Sequence, residues 1–395
     1  MTEIILSAAD LVWPLAFALA WVLGELGHRF TGLPRVSVYA LTGFLLSFWQ
    51  TGFLPRISDS AMLLLANIAF GLILFEFGYR INLRWLRTNL WIGVSGVVEA
   101  ALTFALVYFV AHALGMPGLQ AMLLAALAIP TSPAELMRVV NERRSSGQVT
   151  ERALHLSALN CFLAVFAFNL VVGLWTFESS GSAWGAVSNS LLVLLVSGAL
   201  GAVVGLAVPG LLRKLGTLGA DATLVFALAV ILLAALAQTL KVSPMLAALT
   251  CGCVARHRRV TLNQTQRNFG VLGDLLTVLL FVVIGAGLSW ARVYNGLAIG
   301  LALLAARFAG KLIGTTIFAH ASGTSWRKGV LSGIALSPMS VLVVLLLLQT
   351  RQMGVDLLDQ LAPLSTAALF LAIGGPILAQ WALRLAHETS DDEEQ

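Results

Sequence analysis

Two prolines, Pro130 and Pro133, interrupt the apolar stretch LAIPTSPAELM (127–137), and Thr131, Ser132 and Glu135 sit between and just after them. A proline inside a helix removes one backbone hydrogen bond and clashes with the preceding turn. The stretch therefore gathers hydroxyls, a carboxyl and unpaired carbonyls in one place, oxygen ligands of the kind that suit a hard cation. A second Ser-Pro, Ser337–Pro338, lies in another apolar run with Ser340 close behind. Asn160 and Cys161 stand side by side in HLSALNCFLAV, and Arg307 and Lys311 lie one helical turn apart on one face of ARFAGKLIG. Buried cations need anionic or carbonyl partners. Glu76, Glu99 and Glu135 are the acids within similar segments, and Asp274 is a further isolated acid. Arg307 reads as a charge that neutralises the negative ends of broken helices, and Lys311 either as its companion or as a lysine snorkelling to the interface.

These residues need a scaffold, and composition says which kind. Of 395 residues, 58% are hydrophobic and 11% charged, with a mean hydropathy of +0.90. A soluble domain carries about 25% charged residues, so the chain reads as a polytopic membrane protein. The N-terminus has no basic leader and reads as a retained first span. Cys161, Cys251 and Cys253 lie in apolar segments and do not form a disulfide framework; a soft-metal role is outweighed by simple packing. No phosphate loop, nucleophile arrangement or metal-ligand spacing points to an enzyme, a metal or a cofactor. His155 reads as an interfacial residue.

Apolar stretches long enough to cross a bilayer number about thirteen, at about 3–27, 36–53, 58–78, 86–114, 118–142, 151–177, 184–209, 219–239, 242–256, 268–288, 293–321, 326–350 and 358–387. Basic residues concentrate after odd-numbered spans: Arg80, Arg84 and Arg87; Arg138, Arg143, Arg144 and Arg152; Arg256, Arg258, Arg259 and Arg267. The positive-inside rule then places the N-terminus outside and the C-terminus in the cytoplasm, and the expected location is a bacterial inner (plasma) membrane. The net charge of +5 is explained by topology, and no nucleic-acid partner is expected. The tail from residue 388 to 395 reads as a short, solvated acidic run.

The two halves match. VSVYALTG (36–43) pairs with VSPMLAALTCG (242–252), FGLILFEFGYRINL (70–83) with VLLFVVIGAGLSW (278–290), and LAIPTSPAEL (127–136) with GIALSPMSVL (333–342). The offset is about 206 residues, or seven spans, an odd number that inverts the second copy. Repeat one covers 3–177, a linker helix 184–209, and repeat two 219–387. The paired breaks then cross near the bilayer centre, where Thr131, Ser132, Ser337, Asn160, Cys161, Arg307, Lys311 and Glu76 are the candidate ion- or substrate-binding residues.

The motifs LPRVSVYALTGFLLS (33–47), LFEFGYRINL (74–83), VSPMLAALTCGCVA (242–255) and ARFAGKLIG (306–314) resemble those of the monovalent cation:proton antiporter superfamily, which includes sodium/hydrogen exchangers and potassium-efflux proteins. The resemblance spans nearly the whole chain. It implies an all-α fold with crossed broken helices, a homodimer, and a core that moves like an elevator past a dimerisation domain. It also implies a site in which Thr131-Ser132-Pro133 matches the family's Thr-Asp-Pro, Asn160-Cys161 its Asn-Asp, Arg307 its basic residue, and Glu76 an acid of the third span. Ser132 and Cys161 thus stand where that site carries carboxylates. Three functions stay open: monovalent cation/H+ exchange in a modified form, transport of an anionic or organic solute, and a transport-dead sensor or scaffold working with a partner chain.

Overall fold

The computed structural model describes residues 2–55, 59–177, 183–215, 222–257, 263–343, 345–346 and 362–389. Those residues form sixteen helices and no strand: α1 (Thr2–Thr31), α2 (Arg35–Leu46), α3 (Asp59–Arg80), α4 (Leu83–Thr88), α5 (Leu90–Ala113), α6 (Gly118–Ala128), α7 (Pro133–Glu142), α8 (Gln148–Phe177), α9 (Ala183–Leu215), α10 (Ala222–Thr239), α11 (Pro244–His257), α12 (Asn263–Gly287), α13 (Trp290–Asn295), α14 (Leu297–Ile317), α15 (Trp326–Ala335) and α16 (Ala362–Leu385). Seven of them, α1, α5, α8, α9, α10, α14 and α16, are long and apolar enough to cross a membrane. The other expected spans correspond to α2, α3, the α6–α7 pair, α11, α12 and the segment holding α15, which runs outside the described residues. Arg258, Arg259 and residues 390–395 also lie outside them.

Local chemistry sets the interruptions. α6 ends before Pro130, and α7 restarts at Pro133, with the Ser132 hydroxyl accepting from Glu135 N at 3.3 Å as its N-cap. Asn82 caps α4 by accepting from Arg84 N and Trp85 N, so the span expected from residue 86 is divided into a short surface helix and α5.

The helices assemble as two bundles, and each draws on both halves of the chain. α1, α2, α3, α10, α11 and α12 pack together, α5, α6, α8, α14, α15 and α16 pack together, and α9 bridges them by lying on α11 and α8. The inverted repeat is visible in the closest contacts. A Cβ on Gly43 of α2 would stand 2.1 Å from Val282 O of α12, and one on Gly285 of α12 would stand 2.2 Å from Ala40 O of α2. The matching pair is α11 and α3, where a Cβ on Gly252 would stand 2.2 Å from Phe75 O and one on Gly78 2.3 Å from Leu249 O. Gly43 aligns with Gly252, and Gly78 with Gly285, so one glycine-dependent contact is built twice with the repeats exchanged. Backbones this close gain dispersion contacts that water exclusion alone does not supply in lipid.

Three charged or polar residues stand elsewhere than expected. Arg138, grouped above with the loop charges, is 4% exposed, inside α7 and between the bundles. His155 is buried, not interfacial: its Nε2 accepts from Asn82 N at 3.1 Å, and its ring lies on Trp85. The acidic run begins with a buried residue. The Glu388 carboxylate accepts from Val149 N (2.9 Å), Thr150 N (2.8 Å) and the Thr150 hydroxyl (2.9 Å). It fills the donors at the first turn of α8, which no helical carbonyl satisfies. Cys161, Cys251 and Cys253 are all buried and unbonded to one another.

Candidate functional site

The two breaks meet. Thr131 forms an isolated antiparallel bridge with Met339. Ser132 N donates to Pro338 O at 3.0 Å, and the Thr131 hydroxyl donates to Leu336 O at 3.1 Å. Each strand-like break thereby satisfies part of the other's backbone, which neither could do in lipid alone. The carbonyls left over at the ends of α6 and α15 carry the negative ends of two helix dipoles.

Arg307 answers them. It rises from α14, is 3% exposed, and spends its guanidinium on four carbonyls. Nε donates to Ala128 O (2.9 Å), Nη1 to Ser337 O (2.7 Å), and Nη2 to Pro130 O (3.1 Å) and Pro338 O (3.2 Å). The planar fork reaches both breaks at once, a geometry that a lysine cannot reproduce. Of Ser337 it uses the carbonyl; the Ser337 hydroxyl donates to Ile334 O at 2.6 Å and closes the last turn of α15.

One turn on, Lys311 is fully buried and holds three partners: Glu99 Oε1 of α5 at 2.8 Å, Ile129 O at 3.0 Å and the Thr131 hydroxyl at 3.0 Å. It does not snorkel. Glu99 is equally buried, and its Oε1 also accepts from the Thr103 hydroxyl at 3.2 Å, while Oε2 has no partner among the described residues. The approach of α5 to α14 depends on Gly314, where a Cβ would stand 2.3 Å from Glu99 Cα. Glu99 was one of three acids available to Lys311 by sequence. The signal that selects it is a glycine on either side of the lysine's face, Gly310 and Gly314, which together admit a helix carrying an acid.

α8 closes the other side. The Ser157 hydroxyl and the Cys161 thiol both donate to Thr131 O, at 3.3 and 3.8 Å. Asn160 is 0% exposed, and neither its amide nitrogen nor its carbonyl oxygen has a hydrogen-bond partner among the described residues. A buried carboxamide without partners is costly unless something fills it. Glu135 is 1% exposed in the first turn of α7, and its Oε2 likewise lacks a partner.

Thr131, Ser132, Cys161, Arg307, Lys311 and Ser337 are therefore joined by one hydrogen-bonded crossing, with Asn160 beside Cys161 on α8. Glu76 is placed differently. It pairs with Arg138 Nη2 at 3.3 Å and with Arg80 Nη2 at 3.8 Å, which turns it towards α7 and not towards Thr131 or Cys161. What the crossing offers chemically is a dry set of oxygens, an unsatisfied carboxamide and an ion pair able to trade a proton. It offers no nucleophile–base pair, and no cluster of three metal-ligating side chains among the described residues.

Residues 15–385 match the family described as sodium/hydrogen exchanger, transmembrane. The fold is similar to the sodium proton antiporter MjNhaP1 from Methanocaldococcus jannaschii at pH 8, with a TM-score of 0.65 and 18% identity over 96% of each chain. It is also similar to the same antiporter as seen by electron microscopy, with a TM-score of 0.71 and 19% identity, covering 97% of this chain and 96% of that one. No protein of curated function matches the chain.

Proposed function

Because the chain belongs to the sodium/hydrogen exchanger transmembrane family, a family of integral-membrane transporters and not of enzymes, we propose that it exchanges a monovalent cation for protons through a modified site. The observation that carries this reading is Asn160, a fully buried carboxamide with both ends unpartnered among the described residues, on α8 beside Cys161, whose thiol donates to Thr131 O at the crossing. An Asn oxygen, the Thr131 carbonyl and the hydroxyls of Thr131 and Ser132 are ligands for a desolvated Na+, K+ or Li+.

The proton then belongs to the Glu99–Lys311 pair, not to the third-span acid. When Glu99 is charged it holds Lys311 against Ile129 O and Thr131. When a proton leaves Lys311 the neutral amine releases the Thr131 hydroxyl, which is free to turn towards a cation whose charge Glu99 then balances. Arg307 keeps the crossing assembled through both states. An anionic or organic solute is less well served, since the Arg307 guanidinium is spent on four carbonyls and Lys311 on Glu99, which leaves neither cation to bind it.

Alternating access follows from moving the α5–α8, α14–α16 bundle against the other. The second bundle supplies the surface for a homodimer, and the charge bias orients the N-terminus outward in a bacterial inner membrane.

The test is proton flux in proteoliposomes. The purified protein faces an imposed pH gradient, and a lumenal dye reports proton movement when Na+, K+ or Li+ is added. A cation-dependent collapse of the gradient is expected. No response to any of the three across the pH range would overturn the reading and leave the sensor or scaffold alternative.

A further inference from the structure

We propose that Arg138 is the latch that holds the two bundles together in the conformation seen here, and that its release is a step of every transport cycle. The proposal rests on the exchange reading above for the cycle, but not for the latch itself.

Arg138 belongs to α7, the half-helix that carries the crossing, and three of its partners belong to the opposite bundle. Its Nη2 meets Glu76 of α3 at 3.3 Å, its Nη1 meets Asp274 of α12 at 2.5 Å, and its Nε donates to the Thr277 hydroxyl of α12 at 3.2 Å. One guanidinium thus ties the moving half-helix to two helices of the scaffold. It does so between Ser132, the α7 N-cap six residues back, and the α7 end that the charge bias assigns to the cytoplasm.

The rest of that end is polar in the same sense. Arg80 of α3 donates to the Asn141 side chain at 2.7 Å, Arg143 donates to Gly32 O at 2.6 Å, and Arg35 of α2 lies 3.6 Å from Glu142. Beside the buried Leu136, Met137 and Val139 of α7, these ion pairs and hydrogen bonds give the contact with the scaffold a polar share. Water can replace each of these polar partners on opening. A cavity of about 980 Å3 lies against it between α1, α2, α7 and α12, with Arg138, Asp274 and Thr277 in its wall. Water therefore has access to the seam on that side.

The scaffold is shaped for the latch. Gly273 of α12 faces it, and a Cβ there would stand 2.1 Å from Arg138 Nη2 and 2.6 Å from Glu76 Oε2. Only a glycine lets the guanidinium reach Glu76. This also accounts for the position of Glu76: its carboxylate holds the latch instead of the transported ion, so Arg138 acts as a positioning residue and makes no contact with the cation.

The experiment uses the full chain in membranes. Val278→Cys places a thiol on the α12 wall of the cavity, and its labelling by a membrane-impermeant maleimide, above the background of the three buried native cysteines, reads how far α7 covers that wall. Gly273→Ala wedges the latch open without changing any charge, and Arg138→Gln removes it. Each is expected to raise the labelling rate at least about threefold, as a shift of population away from the latched state. In proteoliposomes the same variants are expected to change turnover at least about threefold while the half-saturating cation concentration moves less than about twofold. Arg138→Lys, which keeps the charge but loses the three-way reach, is expected to fall between the parent and Arg138→Gln. Labelling rates equal to the parent in both Gly273→Ala and Arg138→Gln would overturn the latch. A change in half-saturation with turnover unchanged would overturn it too, by placing Arg138 on the cation. If labelling responds but no cation drives flux in any protein, the exchange reading fails and the latch stands.

Discussion

The Glu99–Lys311 pair makes the sharpest prediction, because both side chains are 0% exposed and each depends on the other. At 2.8 Å and an effective dielectric of about 20, the Coulomb attraction is roughly 6 kcal/mol, most of which offsets the cost of taking two charges out of water. Lys311→Met removes one partner only. It leaves Glu99 with the Thr103 hydroxyl on Oε1 and nothing on Oε2, at an expected cost of about 3–5 kcal/mol. Glu99→Met costs less, since Lys311 keeps Ile129 O and the Thr131 hydroxyl. The double variant Glu99→Met/Lys311→Met replaces an ion pair by two apolar chains of similar volume and is expected to lie within about 2 kcal/mol of the parent. The assay is the thermal midpoint of monodisperse protein in detergent, with proton flux measured alongside. The expected order of stability is parent, then the double variant, then Glu99→Met, then Lys311→Met, with flux absent in all three variants. A double variant whose loss equals the sum of the single losses would show that the two residues are not coupled. Full flux in Glu99→Met would remove the pair from proton transfer.

Three further predictions follow from individual contacts. Cys161→Asp puts a carboxylate beside Thr131 O and the unpartnered Asn160, and should strengthen Na+ binding about tenfold, worth roughly 1.4 kcal/mol, read as a fall in the half-saturating Na+ concentration; an unchanged value would show that α8 does not face the cation. Gly314→Val drives a branched side chain into the Glu99 backbone, 2.3 Å from a Cβ at that position, and should abolish the monodisperse peak on size-exclusion chromatography, whereas a normal peak would mean that α5 and α14 separate easily. Glu388→Ala removes the acceptor for three donors at the start of α8 and should lower stability by about 1–2 kcal/mol, visible as a lower melting midpoint; no shift would place the C-terminal segment in solvent after all.

The crossing was legible in the sequence because its signals are local. Pro130, Pro133 and the paired Ser337–Pro338 stand among hydroxyls at matching places in two apolar spans, and the repeated VSVYALTG and VSPMLAALTCG stretches reveal inversion without any contact being known. Arg307 was legible for a related reason: a charge mid-span must find a partner, and broken helix ends are the nearest supply of carbonyls. The partners of the other charges were not legible. Lys311 had three acids to choose from, and the choice of Glu99 is made by how closely α5 approaches α14, a matter of two glycines and a helix crossing. Arg138 was grouped with loop charges because it lies near the end of a span, where positive residues normally set topology. Its burial follows from the break at Pro133, which turns the second half of the span into a short helix inside the protein instead of a stem leading to water. Glu388 was masked in the same way by its acidic neighbours.

The charges of the site also explain how Ser132 and Cys161 can be neutral while the crossing survives. A crossing with Arg307 and Lys311 and no acid would carry two buried positive charges, which is not sustainable in lipid. Arg307 is compensated by four carbonyl dipoles, so it needs no anion. Lys311 is compensated by Glu99, which enters from α5, outside both breaks and outside α8. The Lys311 ammonium also reaches Ile129 O and Thr131, so the acid that balances the charge sits one bond away from the break instead of within it. Ser132 and Cys161 are then free to be neutral without leaving a net charge unpaired. A crossing that keeps the Arg307 charge beside its Lys311–Glu99 pair can accept a cation only if a proton leaves or a positive group withdraws, and that pair is able to do both. On the proposed exchange, coupling between cation and proton would reside in the Thr131 hydroxyl, which bonds Lys311 in the state seen here and which a bound cation would require as a ligand.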